Sequence, residues 1–175
     1  MNKIEKVYYD EIHIKEMIGD ITMQMNRDNW KPDYIVGLTR GGLIPAVYLS
    51  HYLNIPMETL KVSLRDHAES ESNLWMAEDA ADPVIESRKN ILIVDDINDS
   101  GATLNWIMDD WASSCTAYSD GDWKEVWGVN VRFAVLYDNE ASKANQAVSY
   151  SAITVNKHED PQWIVFPWEE FWKSH

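Results

Sequence analysis

Cysteine is almost absent from this chain of 175 residues, in which Cys115 is the single one. One cysteine cannot form an internal disulfide, and it supplies no zinc-ligand pattern. Long apolar runs are also absent, since no stretch approaches the roughly 18 uninterrupted apolar residues of a membrane span. The first residues lead into charged sequence and not into the apolar core of a signal peptide. We therefore expect a soluble cytoplasmic protein that does not bind a membrane.

Positive charge is the second shortage. The 15 Lys and Arg residues face 29 Asp and Glu residues, which gives a formal net charge of -14. Such a surface repels nucleic acid over long range, so we expect small-molecule partners and no nucleic acid. It would also repel a polyanionic small substrate, whose binding would have to depend on a divalent metal and local backbone N–H groups. With 45% hydrophobic residues, the whole of 1–175 is expected to form a single domain.

The most informative stretch is 91–103. Four apolar residues run straight into Asp95 and Asp96, and a polar turn then holds Asp99, Ser100, Gly101, Ala102 and Thr103. The apolar run predicts a buried parallel strand, and the turn predicts the start of a helix. Ligands of open α/β sheets bind beyond the carboxyl ends of the strands, where turns present N–H groups and hydroxyls. The acids suit a cation and a sugar diol, and the turn suits a phosphate.

The order of these residues resembles the phosphoribosyl diphosphate (PRPP) signature of the type I phosphoribosyltransferases. The resemblance implies that Asp95 and Asp96 face the ribose hydroxyls and bind magnesium (Mg2+). It also implies that Asp99 is the catalytic acid beside the reacting ring and that residues 99–103 wrap the 5-phosphate of PRPP. A solvated acidic turn after a core strand is the alternative, but the complete order over 91–103 favours the family interpretation.

A second motif, Arg40-Gly41-Gly42, directly follows a predicted strand at 34–38. Paired glycines expose backbone N–H groups to an anion, and the arginine adds a cation. Taken alone, a Gly-Gly turn between a strand and a helix more often only connects the two elements and binds no ligand. The string from Thr39 to Pro45 resembles the pyrophosphate-binding loop of bacterial xanthine-guanine phosphoribosyltransferases, which implies that Arg40 and Gly41 also bind PRPP.

The C-terminal segment 160–169 resembles the purine-binding tail of the same subfamily. The resemblance implies that Trp163 stacks on the base and that Ile164 offers main-chain polar groups to its edge. Residues 156–175 are accordingly expected to form a base-binding hood. The chain holds nine tryptophans, and for Trp168 and Trp172 we expect packing in a core or an interface.

Two positions depart from the family pattern. Purine enzymes of the family usually carry a lysine at the end of the fourth main strand, where it donates to the 6-oxo group, whereas this chain has Asp138 at or next to that site. A carboxylate accepts hydrogen bonds, so Asp138 as a base contact would favour an amino group, or it would point elsewhere. As a further alternative, the side chain of Lys143 could replace the missing lysine at the 6-oxo group. Before the expected mobile loop, Arg65 could supply a cation for pyrophosphate.

Strands that alternate with helices predict an α/β fold, namely a mostly parallel twisted sheet with helices on both faces and a small hood formed by the N- and C-terminal segments. Periodicity predicts helices at 12–25, at 44–53 and after 103. It predicts strands at 34–38, 57–64, 129–137 and 148–155, beside the one that starts at Ile91. Residues 66–83 show little periodicity, and we expect a mobile active-site loop there, with a solvated insertion as the alternative.

We therefore expect transfer of the 5-phosphoribosyl group from PRPP to a nucleobase, a 6-oxopurine such as xanthine, guanine or hypoxanthine, by a homodimer or homotetramer. Another acceptor base is the first alternative, and a non-catalytic sensor of PRPP or nucleotide is the second. A metal-dependent phosphohydrolase built on Asp95 and Asp96 is the third. It would need further ligands, and His51, His67 and His158 show no metal-ligand spacing.

Overall fold

A computed structural model of the chain describes residues 4–62, 64, 73–115 and 122–173. Arg65, His67 and residues 66–72 of the expected mobile loop lie outside the described residues. The predictions made for them stay predictions.

The centre of the molecule is a sheet of five parallel strands. In chain order the seven described strands are β1 (Glu5–Tyr8), β2 (Tyr34–Thr39), β3 (Met57–Lys61), β4 (Ile91–Asn98), β5 (Val131–Asn139), β6 (Tyr150–Val155) and β7 (Gln162–Val165). The large sheet has the order β3-β2-β4-β5-β6. All its strand pairs are parallel, so the carboxyl ends of β2, β4, β5 and β6 meet at one edge.

Helices cover both faces of this sheet, as the sequence predicts. They are α1 (Glu11–Arg27), α2 (Leu43–Leu53), α3 (Leu74–Ala80) and α4 (Ala102–Ser114). Alternate residues along β4 point to opposite faces. Ile91 and Ile93 pack with α3 and α4, whereas Leu92 and Val94 pack with α1 and α2. Cys115 is buried beside α4, as expected for a structural thiol.

The hood is a second, two-stranded sheet in which the N- and C-terminal segments meet. Strands β1 and β7 pair in parallel, with Lys6 opposite Trp163 and Val7 opposite Ile164. Phe166 follows β7 and is buried in the same core as α1 and α2. Through this residue the hood packs against the core on one face of the large sheet. The predicted fold class, including this hood, is confirmed. Within the described residues, no helix is long and apolar enough to cross a membrane.

Several element bounds differ from the sequence prediction. Residues 74–80 of the expected loop form α3, in which Met76, Ala77 and Ala80 are buried. A helix of seven residues, fewer than two turns, is too short to show a helical period in the sequence. Strand β3 ends at Lys61, before the predicted residue 64. Strands β4 and β5 instead run on, through the acid pair to Asn98 and through Asp138 to Asn139.

Candidate active site

Two adjacent carboxylates lie near the carboxyl end of β4, the central strand. Asp95 accepts a hydrogen bond from the backbone N–H of Asp96 at 3.0 Å, and Asp96 accepts one from that of Ile97 at 2.8 Å. Burial raises the pKa of Asp95 well above its ordinary value, and the charge of Asp96 adds to the effect. Burial also raises the pKa of Asp96. Neither acid forms an ion pair with a described lysine or arginine, so a cationic ligand would relieve their repulsion.

The turn after β2 touches this acid pair. A Cβ atom on Gly41 would overlap Oδ2 and Cγ of Asp96 and would lie 2.8 Å from its Oδ1. A Cβ on Gly42 would overlap the carbonyl oxygen of Val94 in β4. Both glycines are therefore required for this close approach. Arg40 is exposed at the same turn, and the peptide bond that joins it to Thr39 is cis.

The turn after β4 leads into the N-terminus of α4. Gly101 has a φ of 85°, which a side chain rarely adopts, and a Cβ there would overlap the backbone of Ala144. No side chain caps α4, although the N–H of Ala102 reaches Ser100 Oγ at 3.3 Å. An uncapped helix N-terminus presents N–H groups and a favourable dipole to an anion such as a phosphate. Residues 99–103 thus form a turn that leads into a helix, as the sequence predicts, and their contact with a phosphate stays a prediction.

Asp99 lies at the start of this turn, and its partners escaped the sequence analysis. Lys157 Nζ donates to Asp99 Oδ1 at 2.7 Å. The buried amide of Asn139 donates to the backbone oxygen of Asp99 at 2.8 Å and accepts from the N–H of Lys157 at 3.0 Å. Their positions in the sequence could have indicated these partners, because Asn139 and Lys157 each follow the end of a predicted strand, at the edge of the sheet where Asp99 also lies.

Asp138 is half-buried and is held from the neighbouring strand. Asn98 Nδ2 donates to Asp138 Oδ1 at 2.8 Å and also to Ser142 Oγ at 2.9 Å. Burial raises the pKa of Asp138. Lys143, the alternative cation, is exposed, and its backbone N–H donates to the backbone oxygen of Ser100 in the turn after β4. A base contact by Asp138 stays a prediction.

Strand β7 of the hood exposes the aromatic ring of Trp163. Trp163 on β7 is 59% exposed, whereas its neighbour Ile164 is buried. Trp168 is stacked on Phe166 with ring centroids 4.9 Å apart, and Trp172 is exposed. Of the tryptophans near the C-terminus, Trp163 thus stands on the hood strand itself with its ring free to stack.

The acid pair also offers oxygen ligands to a metal ion. The described residues contain no group of three or more His, Cys, Asp and Glu side chains that could hold an ion. Mg2+ commonly binds through one or two carboxylates, with substrate phosphates and waters as its other ligands. Asp95 and Asp96 fit an ion that arrives with a phosphorylated substrate. They do not provide the three-ligand site that the phosphohydrolase alternative needs.

Comparison with known proteins identifies relatives over the whole fold. Residues 6–175 match the family model of the phosphoribosyl transferase domain. The xanthine-guanine phosphoribosyltransferase of Idiomarina loihiensis is 34% identical over 76 residues, which cover 43% of this chain and 46% of that enzyme. The hypoxanthine-guanine phosphoribosyltransferase of Schizosaccharomyces pombe is 25% identical over 94% of this chain and 89% of its own length.

A solved structure of a purine phosphoribosyltransferase is also similar to this chain. The purine phosphoribosyltransferase of Pyrococcus horikoshii superposes with a TM-score of 0.64 and 27% identity, covering 98% of this chain and 99% of that one.

Proposed function

This chain belongs to the phosphoribosyltransferase family, and on that premise we propose that it transfers the 5-phosphoribosyl group of PRPP to a 6-oxopurine, releasing pyrophosphate. The observation that carries the proposal is the contact between Gly41 and the half-buried Asp96, beside the uncapped N-terminus of α4. At this edge of the sheet, the acid pair would bind a sugar diol, the turn before α4 would bind a phosphate, and the turn after β2 would bind the leaving anion.

We propose that the acid pair and the two turns bind PRPP. Asp95 and Asp96 would accept hydrogen bonds from the ribose hydroxyls and hold Mg2+, and residues 99–103 would donate to the 5-phosphate. Arg40 and the backbone at Gly41 would bind pyrophosphate. Bound Mg2+ supplies positive charge that balances the departing pyrophosphate.

The base would bind between Asp99 and the hood. Trp163 would stack on its face, and the main chain of Ile164 would contact its edge. As the bond from the sugar to pyrophosphate breaks, positive charge develops on the sugar and a new bond forms to the ring nitrogen. The Asp99 carboxylate would stabilise this charge and accept the proton that the ring nitrogen loses.

We also propose that the protein acts in the cytoplasm as a homodimer or homotetramer. The support is an apolar groove beside α2, lined in part by Ile14, Val47 and Trp168, where Val47 is 43% exposed. Sedimentation equilibrium tests this part, because a monomer at micromolar concentration would contradict it.

The test of the proposed activity is pyrophosphate release from PRPP and Mg2+ with xanthine, guanine, hypoxanthine, adenine, uracil or orotate. Release with a 6-oxopurine, accompanied by the matching nucleotide on chromatography, is the expected result. Release only with adenine or a pyrimidine would show that the acceptor is a base other than a 6-oxopurine. PRPP binding without release for any base would instead indicate a ligand-sensing regulator.

A further inference from the structure

A hydrogen bond joins the large sheet to the hood next to the proposed base site. Tyr137 of β5 donates its hydroxyl to Oε1 of Gln162, the first residue of β7, at 3.2 Å. We infer that Tyr137 is a positioning residue, which holds β7 so that the ring of Trp163 stands where a base stacks on it. The inference rests on the proposed function, because it assigns the residue that orients the hood of that same site.

The orientation of the Gln162 amide follows from its two partners. Its Nε2 donates to Oδ2 of Asp160 at 2.7 Å, and a carboxylate only accepts. Oε1 therefore faces Tyr137, and the tyrosine hydroxyl must be the donor. Tyr137 is fully buried, and this burial raises the pKa of its hydroxyl to about 12, so the donor keeps its proton at neutral pH. Both polar atoms of the Gln162 side chain are thus held.

Apolar packing also joins the hood to the core, but it does not fix the position of β7 in the same way. Ile164 and Phe166 are buried with α1 and α2. Apolar burial is non-directional, so it holds the strand against the core while it permits a small sliding or rotation. A hydrogen bond has a preferred distance and angle. The bond from Tyr137 therefore fixes β7 at the residue directly before Trp163.

Strand β5 holds both sides of the proposed base site. Tyr137 binds the residue before Trp163, and Asn139 donates to the backbone oxygen of Asp99 at 2.8 Å. These two attachment points are two residues apart, or about 7 Å along the strand. Because β5 is paired with β4 on one side and with β6 on the other, it is a rigid support. It would set the spacing between Asp99 and Trp163, between which the base would bind.

The first test compares a ligand that carries a base with one that carries none. Calorimetry of IMP, and separately of PRPP with Mg2+, is run on the wild type and on Tyr137→Phe, which removes the hydroxyl and keeps the ring. IMP affinity should fall about fivefold, the value of one hydrogen bond between neutral groups. PRPP affinity should change less than about twofold, because the substitution leaves Asn139 and the turn after β4 in place.

A double-mutant cycle tests whether the hydroxyl acts through the ring of Trp163. Trp163→Ala removes that ring, so Tyr137→Phe added to it should reduce IMP affinity by less than about a further twofold. The same fivefold loss in both backgrounds would overturn the inference, since the hydroxyl would then act independently of the ring. Unchanged IMP affinity in Tyr137→Phe alone would overturn it as well.

Tyr150→Phe is the matched control. Tyr150 is 1% exposed and its hydroxyl donates to Oδ2 of Asp28 at 3.0 Å, but it is the first residue of β6, at the other end of the strands. Tyr150→Phe should lower Tm at least as much as Tyr137→Phe, because its hydroxyl binds a charged group, and it should leave both affinities unchanged. An equal loss of IMP affinity in the two variants would show that lost stability alone explains the effect and would contradict the positioning role. If Tyr137→Phe does not fold, Gln162→Leu removes the same hydrogen bond from the hood and gives the same comparison.

Failure of the proposed function would be recognised separately. Wild-type protein that binds IMP with the help of Tyr137 but forms no nucleotide from PRPP would contradict the transferase and leave the positioning role standing. Wild-type protein that forms nucleotide from hypoxanthine, while Tyr137→Phe keeps full IMP affinity, would do the reverse. Wild-type protein that binds no IMP would contradict both.

Discussion

Gly41 permits a test in which one added methyl group acts on the acid pair. In Gly41→Ala, the new Cβ would overlap Oδ2 and Cγ of Asp96, and it would lie 2.8 Å from Oδ1. The carboxylate must therefore rotate away or the turn must move. Two other glycines calibrate the result: a Cβ on Gly42 would overlap the backbone oxygen of Val94, and one on Gly19 would meet nothing within 4 Å.

The three substitutions should separate by mechanism. Gly19→Ala lies inside α1 and should stabilise the protein by about 0.5–1 kcal/mol, because alanine loses less backbone entropy. Gly42→Ala forces two strands apart and should cost about 2–3 kcal/mol, or about 4–12 °C in Tm. Gly41→Ala displaces one short side chain, at about 0.5–1.5 kcal/mol. Its PRPP affinity, however, should fall about 10- to 100-fold, because the displaced Asp96 carboxylate no longer lies in position to bind the ligand.

Thermal unfolding and calorimetric titration with PRPP and Mg2+ provide the two readouts. The account requires that Gly41→Ala lose affinity while it keeps most of its stability, and that Gly19→Ala keep both. Wild-type PRPP affinity in a folded Gly41→Ala protein would refute the placement of PRPP against Asp96. A loss of stability in Gly41→Ala as large as that in Gly42→Ala would refute the local geometry.

Three further predictions concern the reacting end of the site. Asp99→Asn should reduce kcat by at least about 100-fold with PRPP affinity preserved, since the substitution removes the proton acceptor and the negative charge but keeps the backbone of the turn; unchanged turnover in a steady-state assay would exclude this role. Trp163→Ala should weaken base affinity by about 1–3 kcal/mol, the value of one base stack, and an effect confined to PRPP titrations would place the base elsewhere. Asn139→Ala should cost about 1–3 kcal/mol in denaturant unfolding and lower kcat together, because Asp99 and Lys157 lose their shared partner. Full activity in that variant would show that the amide does not align them.

The sequence allowed the central strand and its acids to be predicted because their pattern is local. Ile91 to Val94 form a continuous apolar run, which is typical of a strand buried on both faces, and the polar turn follows directly. The turns that contain Gly41 and Gly101 could be predicted for the same reason, since the residues that indicate a turn lie within a few positions of one another. The contact between Gly41 and Asp96 needed the structure, because it depends on β2 lying next to β4.

Other features depend on pairings across long sequence separations. The contact of Lys157 with Asp99 spans 58 residues and exists because β5 and β6 follow β4 in the sheet. Helix α3 has seven residues, fewer than two turns, so its buried face could not be separated from an irregular segment. Strand β1 has four residues and no buried one, and its pairing with β7 could not be derived from its own pattern.

The most direct measurement is a 31P NMR time course of the wild-type protein with PRPP, Mg2+ and hypoxanthine. The account predicts that pyrophosphate and a nucleoside 5′-monophosphate appear in equal amounts, and that neither forms when hypoxanthine is left out. Ribose 5-phosphate in place of the nucleotide, or an unchanged PRPP spectrum with every base offered, would contradict phosphoribosyl transfer.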